Sequence, residues 1–289
     1  MCAARNLRCW ILCTALVGLS SLTGCFAPVA QRCPDCTELT VSALRHLPPT
    51  ANRLFILIPG LLGYGWEWNP AQIVLARHPE VAVVVYSWQP WLSVARSGEE
   101  LGRVLRRVDR LLPLHIRDVT VIAHSAAGMV ALQAMAHLSP PHRLQQRPLR
   151  RPLRIVAVGA PLAGMGFYPD PPDLRNTPLP MVLGGRFTHW PTPATGVRID
   201  VFPTGPDDPV MRPIGAHNPA DPRVLPPGAH FRPLPADLGH NSALGWLCQL
   251  LLDEDPGGEV PSPPLSLSLP GAASTEGPLT HGPDVRPQP

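Results

Sequence analysis

Short apolar runs alternate with amphipathic segments through the middle of the chain, and this alternation predicts a parallel β-sheet covered by helices. The predicted strands are almost continuously apolar, as expected for strands buried on both faces. They are Leu54 to Ile58, Val81 to Trp88, Val119 to Ala123, Ile155 to Val158, Val197 to Phe202 and a short one within Ala229 to Leu234. Apolar residues at helical spacing predict helices at Val94 to Leu112, Ala126 to Leu138 and Ser242 to Leu252. We therefore expect an α/β fold with a mostly parallel central sheet and helices on both faces.

The segments outside this alternation predict the domain limits. Residues 25–52 contain several prolines and no long periodic segment, which indicates a tether, with Leu39 to Leu44 as a candidate short strand. One folded domain is expected over residues 53–254. Within it, residues 161–195 are rich in Pro, Gly and aromatic residues and predict an irregular, lid-like insertion. Residues 255–289 are dominated by Pro, Ser and Gly, which predicts a disordered tail.

Residues 1–24 have the pattern of a secretory signal peptide. Arg5 and Arg8 precede an apolar run from Trp10 to Leu19 that is too short to span a bilayer comfortably. The following Leu22-Thr23-Gly24-Cys25 resembles a bacterial lipobox. That resemblance implies cleavage before Cys25 and acylation of its thiol and amine with diacylglycerol and a fatty acid such as palmitate. The alternative is an ordinary signal peptide in which the cysteine is coincidental.

The lipobox predicts where the chain resides. Several acyl chains on Cys25 would anchor it stably to a membrane that it does not cross. We therefore expect a lipid-anchored protein of the bacterial cell envelope. Phe26 is not the Asp associated with inner-membrane retention, which favours the periplasmic face of an outer membrane if the organism has one.

Composition and cysteine usage restrict the classes of function. Of the 289 residues, 45% are hydrophobic and 16% charged, which favours a well-buried core, and a net charge of +3 is too small to predict a nucleic-acid partner. Cys33 and Cys36 predict a local disulfide, with a redox or zinc pair as the alternative, and Cys248 is predicted to be a core residue. The sequence contains no metal-ligand cluster and no dinucleotide-binding glycine loop, so we expect no cofactor.

One strand, Val119 to Ala123, leads directly into a helix of small residues, and a serine lies at the turn. The string reads Val121-Ile122-Ala123-His124-Ser125-Ala126-Ala127-Gly128. This is the arrangement of a nucleophile elbow, which needs small residues two before and two after the serine. Alanines occupy both places, so the strict G-x-S-x-G pattern is not met. The alternative is an ordinary helix start capped by Ser125.

A serine nucleophile needs a base, and the base needs an acid that orients it. After the strand that ends at Phe202, Gly205-Pro206-Asp207-Asp208-Pro209-Val210 resembles the acid loop of α/β hydrolases. The resemblance implies Asp208 as the acid, with Asp207 as the alternative; otherwise both only initiate turns. The base is expected in the loop before the last helix, which favours His240 over two other histidines, His217 and His230.

Two glycine loops complete the resemblance. Pro59-Gly60-Leu61-Leu62-Gly63 is similar to the His-Gly loop of lipases, which implies the backbone N–H groups of Leu61 and Ala126 as the oxyanion hole. Otherwise it is only a turn. Val158-Gly159-Ala160-Pro161-Leu162-Ala163-Gly164 is similar to a Gly-Thr-Pro-Leu-Ala-Gly segment of lipase-like hydrolases. Together the four motifs, within Leu54 to Leu252, resemble the lipase-like α/β hydrolases, a family of serine esterases and lipases.

The resemblance implies a reaction and a substrate class. The expected reaction is hydrolysis of a carboxylic ester, of a lipid or a short-chain acid, through an acyl-enzyme on Ser125. The partners are then the ester and, through Cys25, a membrane. Five aromatic residues are candidates to line an acyl pocket or simply to pack: Trp66, Trp68, Phe167, Tyr168 and Trp190. The alternatives are an acyltransferase or thioesterase with the same triad, or a noncatalytic envelope lipoprotein that keeps the fold.

Overall fold

The computed structural model describes residues 37–61, 65–90, 92–138, 148–162, 190–203, 225–235 and 238–254, with Gly65 and Trp66 as backbone alone. The chain divides into two compact units, Met1–Asp253 and Glu254–Pro289. Every described helix and strand belongs to the first unit. The predicted signal peptide, Cys25, the Cys33 and Cys36 pair, most of the predicted insertion and the tail lie outside the described residues.

Parallel strands form the centre of the first unit. Within the described residues they are β1 (Arg53–Ile58), β2 (Val81–Val85), β3 (Asp118–His124), β4 (Leu153–Val158), β5 (Val197–Phe202) and β6 (His230–Phe231). They form one sheet in the order β2-β1-β3-β4-β5-β6, with every neighbouring pair parallel. Every residue of β1 and β3 is buried, because helices cover both faces and leave no position for an alternating polar side chain.

The helices lie on both faces of the sheet. They are α1 (Val41–Arg45), α2 (Asn69–Leu75), which follows a 3-10 turn at Gly65–Trp68, α3 (Val94–Leu111), α4 (Ala126–Leu138) and α5 (Ala243–Asp253). One apolar cluster joins α3 and α4 to one face, and a second joins α2 and α5 to the other. This confirms the predicted α/β class. None of the described helices combines the length and the apolar character that crossing a bilayer requires.

The strand order reverses beside β1. The chain passes from β1 outward to β2, then returns to the opposite side of β1 to form β3. At such a reversal the loops that leave the two strands diverge and open a crevice at their carboxyl ends. The Gly60 loop leaves β1 and the Ser125 turn leaves β3 at this crevice, since Ile58 pairs with Ala123 at the end of the ladder.

Among the described helices the two longest, α3 and α4, cross at unusually short range. A Cβ at Gly98 would lie 2.8 Å from the Cβ of Gln133, and one at Gly102 would lie 2.6 Å from the Cβ of His137. The two glycines are four residues apart in sequence and therefore share one face of α3, the face that meets α4. Arg106 secures the same contact, because its guanidinium donates to the carbonyls of His137 and Leu138 at the end of α4, both at 2.7 Å.

The segment before β1 differs from its prediction. The strand predicted at Leu39 to Leu44 is wrong: only Glu38 pairs with the sheet, beside Val85, and the chain then turns into α1. Thr40 caps this helix, because its hydroxyl oxygen accepts the N–H of Ala43 at 3.0 Å. Leu44 is buried in the core, so packed structure begins before Arg53.

The thiol of Cys248 is part of the core, as predicted. It is fully buried in α5, and burial raises the pKa of the thiol to about 12. The neutral thiol therefore behaves as a small apolar side chain that packs between α5 and the sheet.

Candidate active site

Ser125 lies in a strained turn between β3, which ends at His124, and α4, which begins at Ala126. Its φ angle is +54°, and it is the only non-glycine residue with a positive φ among those described. The turn is fixed on both sides. The Ser125 N–H donates to the carbonyl of Val158 at 2.8 Å, and the Gly128 N–H donates to the carbonyl of Ser125 at 2.9 Å. A serine held in this conformation presents its side chain at the carboxyl edge of the sheet, as a nucleophile elbow does.

Small residues permit this turn because α4 approaches β4 closely. A Cβ at Gly128 would lie 2.5 Å from the Cβ of Ala160 and 3.3 Å from the Cβ of Ala157. Ala127 is fully buried. The position that strictly needs glycine is therefore the third after Ser125, not the second, and this explains how the chain departs from the G-x-S-x-G spacing.

The predicted oxyanion loop passes directly beside the serine. A Cβ at Gly60 would lie 3.2 Å from the Cβ of Ser125, so only glycine fits without a shift. Two buried side chains hold the loop: the indole N–H of Trp88 donates to the carbonyl of Pro59 at 2.7 Å, and the Gly60 N–H donates to Oε1 of Glu67 at 2.8 Å. Leu61, the next residue, is half-buried, and Ala126 is buried.

The predicted base, His240, is buried in the loop before α5, with 7% of its surface exposed. Its backbone carbonyl accepts a hydrogen bond from Nε2 of His124 at 3.2 Å. The centroids of the two imidazole rings lie 4.5 Å apart. Ser242 closes the loop, because its hydroxyl oxygen accepts the Gly239 N–H at 2.9 Å. The fold therefore brings His240 next to the residue that precedes Ser125.

The acid candidates Asp207 and Asp208 lie outside the described residues. The described carboxylate nearest to them in sequence is Asp200 on β5. It is completely buried and bound by Arg154 and by Arg198, the latter at 3.1 Å. Since these arginines engage both of its oxygens, and the carboxylate lies inside the strand and not beyond its end, Asp200 does not fit the role of an acid that orients His240.

Of the two histidines that compete with His240, one is described by the structure. His230 is exposed on β6, and His217 lies outside the described residues.

Trp68 is completely buried and Trp190 is 9% exposed within the core, so both pack instead of lining an open pocket. The remaining aromatic side chains, of Trp66, Phe167 and Tyr168, are not among those described. In the part of the chain that the structure describes, no three His, Cys, Asp or Glu side chains are placed to hold a metal ion.

Sequence reasoning missed one polar residue of the site, Glu67. It is buried in the 3-10 turn, and its Oε1 lies 3.5 Å from Nδ1 of His124. Nδ1 makes no hydrogen bond to any described residue, so the two side chains are in contact without a hydrogen bond between them. The Trp68 ring packs edge-on against His124 with centroids 6.2 Å apart. Gly65-Trp66-Glu67-Trp68 matches no motif, and only the folded loop places the carboxylate here.

Comparison with known proteins adds a distant likeness. No family model and no curated protein matches the chain. Among solved structures it is similar to the esterase domain of a Rhodothermus marinus protein, with 15% identity, over 71% of this chain and 86% of that chain, and with a TM-score of 0.37. The fold and the side chains of the site, not this likeness, therefore provide the basis for a function.

Proposed function

We propose that the chain is a serine hydrolase that cleaves carboxylic esters through an acyl-enzyme on Ser125. The observation that carries the proposal is the positive φ of Ser125 at the end of β3, at the strand reversal. Strained backbone conformations concentrate at active sites, where the surrounding fold holds a residue in the geometry that the reaction needs. The Gly60 loop lies beside this serine, and the buried His240 lies next to its neighbour His124.

The first half of the reaction forms the acyl-enzyme. Ser125 Oγ attacks the ester carbonyl carbon while His240 takes the hydroxyl proton, and Asp208 orients the imidazole. The carbonyl oxygen becomes an oxyanion and accepts hydrogen bonds from the N–H groups of Leu61 and Ala126. The Gly60 N–H already binds Glu67, which supports the next N–H along the loop as the donor. The C–O bond to the alcohol then breaks, and the alcohol leaves with the proton from His240.

The second half releases the acid. A water molecule gives a proton to His240 and attacks the acyl carbon, and the collapse of the intermediate returns that proton to Ser125 Oγ. If an alcohol or an amine replaced the water, the same residues would perform acyl transfer. A thioester would enter by the same first step. Hydrolysis is the proposal because Ser125 is partly exposed, so that water can reach the acyl group on it.

The lipobox supports a location and a substrate class. We propose that Cys25 anchors the chain to a bacterial envelope membrane and that the substrates are esters with an apolar acyl or alcohol part. An enzyme tied to a bilayer meets lipid esters at high local concentration. Short-chain esters can undergo the same reaction. The activity measured on esters of graded chain length distinguishes the two substrate classes.

The test is hydrolysis of p-nitrophenyl esters graded from acetyl to palmitoyl by the wild-type chain and by Ser125→Ala. The variant removes the covalent acceptor without leaving a large cavity, so kcat should fall by about 10³ to 10⁶. Ser42→Ala makes the same chemical change in the exposed part of α1 and should keep wild-type activity. Retention of more than about a tenth of kcat by Ser125→Ala contradicts the assignment. Product analysis with added alcohols distinguishes acyl transfer, and an inert wild-type chain favours the noncatalytic alternative.

A further inference from the structure

Two loops of the proposed site meet at two buried side chains. Glu67 is 7% exposed and His124 is 2% exposed. The loop after β1 reaches Glu67 through the Gly60 N–H, and the loop before α5 reaches His124 through the carbonyl of His240. Neither Glu67 nor His124 takes part in a step of the proposed reaction. The first contact holds the backbone of Gly60, which precedes the proposed oxyanion donor Leu61. The second holds the backbone of His240, the proposed base.

The hydrogen-bonding roles in this cluster follow from elementary chemistry. The carbonyl of His240 can only accept, so Nε2 of His124 must carry the hydrogen of that bond. An amide N–H can only donate, so Oε1 of Glu67 accepts from Gly60. The same oxygen lies 3.5 Å from Nδ1 of His124. One carboxylate oxygen thus faces the oxyanion loop and the histidine that holds the base loop.

The surroundings hold both side chains in one orientation. Trp68 is fully buried and its ring meets His124 edge-on, and Trp88 fixes the carbonyl of the residue before Gly60. A carboxylate removed from water depends strongly on the few partners that it has. A small displacement of Glu67 would therefore move Gly60, which lies against Ser125.

We propose that Glu67 and His124 form a positioning pair that fixes the oxyanion loop and the base loop relative to Ser125. Glu67 sets the position of the Leu61 N–H by holding the preceding N–H, and His124 sets the position of His240 by holding its carbonyl. Neither side chain touches the substrate. The inference rests on the proposed function, since it assigns these two residues to the reaction at Ser125.

The pair predicts effects on turnover more than on substrate binding. A donor that is displaced from the developing oxyanion stabilises the transition state less, while an apolar acyl group binds as before. In the full chain, Glu67→Ala should lower kcat by about 10- to 100-fold and change KM by less than about threefold. Glu67→Gln keeps an oxygen that accepts the Gly60 N–H, so it should keep at least about a third of wild-type kcat.

The histidine has its own variant. His124→Phe keeps a ring of similar size against Trp68 and removes the donor to His240. Its kcat should fall by about tenfold, again with KM nearly unchanged. Glu38→Ala is the matched control, because Glu38 also accepts a loop N–H, that of Ser87 at 3.2 Å, at the end of the neighbouring strand β2. It should keep wild-type kcat.

The experiment measures kcat and KM on a p-nitrophenyl ester, normalised to active sites titrated to completion with a fluorophosphonate, together with thermal unfolding. A purely structural role would reduce the number of titratable sites or the Tm and leave kcat per site unchanged. That result, or an equal fall in kcat for Glu38→Ala, overturns the inference, as does a change confined to KM. If Glu67→Ala does not fold, an unchanged kcat in His124→Phe overturns it.

Failure of the two proposals gives different results. A wild-type chain that neither hydrolyses esters nor reacts with the fluorophosphonate overturns the function of Ser125, and this inference falls with it. An active wild-type chain with unaffected Glu67→Ala and His124→Phe variants overturns the positioning pair alone.

Discussion

The backbone of Ser125 stores strain that its own neighbours maintain. A non-glycine residue in the left-handed region costs about 1–3 kcal/mol relative to an ordinary conformation. The bonds from Ser125 N–H to Val158 and from Gly128 N–H to Ser125 hold it there. Neither bond involves the serine side chain, so the hydroxyl does not cause the strained conformation. The conformation instead determines where the hydroxyl lies. This is why Ser125→Ala should keep its fold while it loses its activity.

Two single substitutions test whether Asp208 or Asp207 is the acid that orients His240. Asp208→Asn should lower kcat by about 10⁴, because the amide cannot stabilise the imidazolium that forms at His240 and favours the wrong tautomer. Asp207→Asn is the matched control, with the same chemical change one residue earlier, and should cost little. Measuring kcat for both variants checks the assignment. The reverse order of effects would transfer the role to Asp207 and leave Ser125 and His240 in place.

Local motifs selected the candidate site residues, but they could not predict nonlocal contacts. Gly60, Ser125 and His240 each lie at the end of a predicted strand or before a predicted helix, so pattern and chain order were enough to select them. Glu67 depends on the path of a loop between β1 and α2, which no periodic pattern encodes. The buried Asp200 with its two arginines was missed for the same reason.

Long or strongly apolar elements were predicted closely, and short ones were not. Helix α4 and strand β5 have the predicted bounds, Ala126–Leu138 and Val197–Phe202. Helix α2 was missed because it spans seven residues and exposes Ile73, too few apolar positions to establish a period. Helix α1 was mistaken for a strand because its cap, Thr40, and not its five residues, determines the helical start.

The crossing of α3 and α4 gives a prediction at the element scale. Alanine is normally better than glycine in a helix by about 1 kcal/mol. Gly102→Ala should nevertheless destabilise the fold by about 1–3 kcal/mol, because the new Cβ would lie 2.6 Å from the Cβ of His137 and 3.0 Å from the carbonyl of Ala134. Urea unfolding measures the change. Arg103→Ala, on the exposed side of the same helix, is the control and should stay within about 0.5 kcal/mol. An unchanged or raised stability for Gly102→Ala would refute the close crossing.

At the scale of the whole chain, the segment that follows the proposed anchor at Cys25 leads to the sheet. Thr37 and Leu39 hydrogen-bond to Val85 at the carboxyl end of β2, the same edge that carries Ser125. Thr37 lies twelve positions after Cys25, which allows a reach of about 40 Å when the segment is fully extended. A lipid on Cys25 would therefore keep the proposed site close to the bilayer.

The anchor is tested by Cys25→Ser, which keeps the signal peptide and removes the thiol. Metabolic labelling with a palmitate analogue should fail, and the chain should leave the membrane fraction. Cys33→Ser makes the same change eight residues further along the chain and should label as wild type does. If Cys25→Ser still takes up the label and stays with membranes, the lipobox interpretation is wrong.

The claim that Ser125 is the nucleophile is tested most directly by locating a fluorophosphonate adduct. The wild-type chain should gain one adduct, which intact-mass and peptide mass spectrometry place on Ser125, and the Ser125→Ala chain should gain none under the same conditions. An adduct on a different serine, or stoichiometric labelling of Ser125→Ala, would contradict the account.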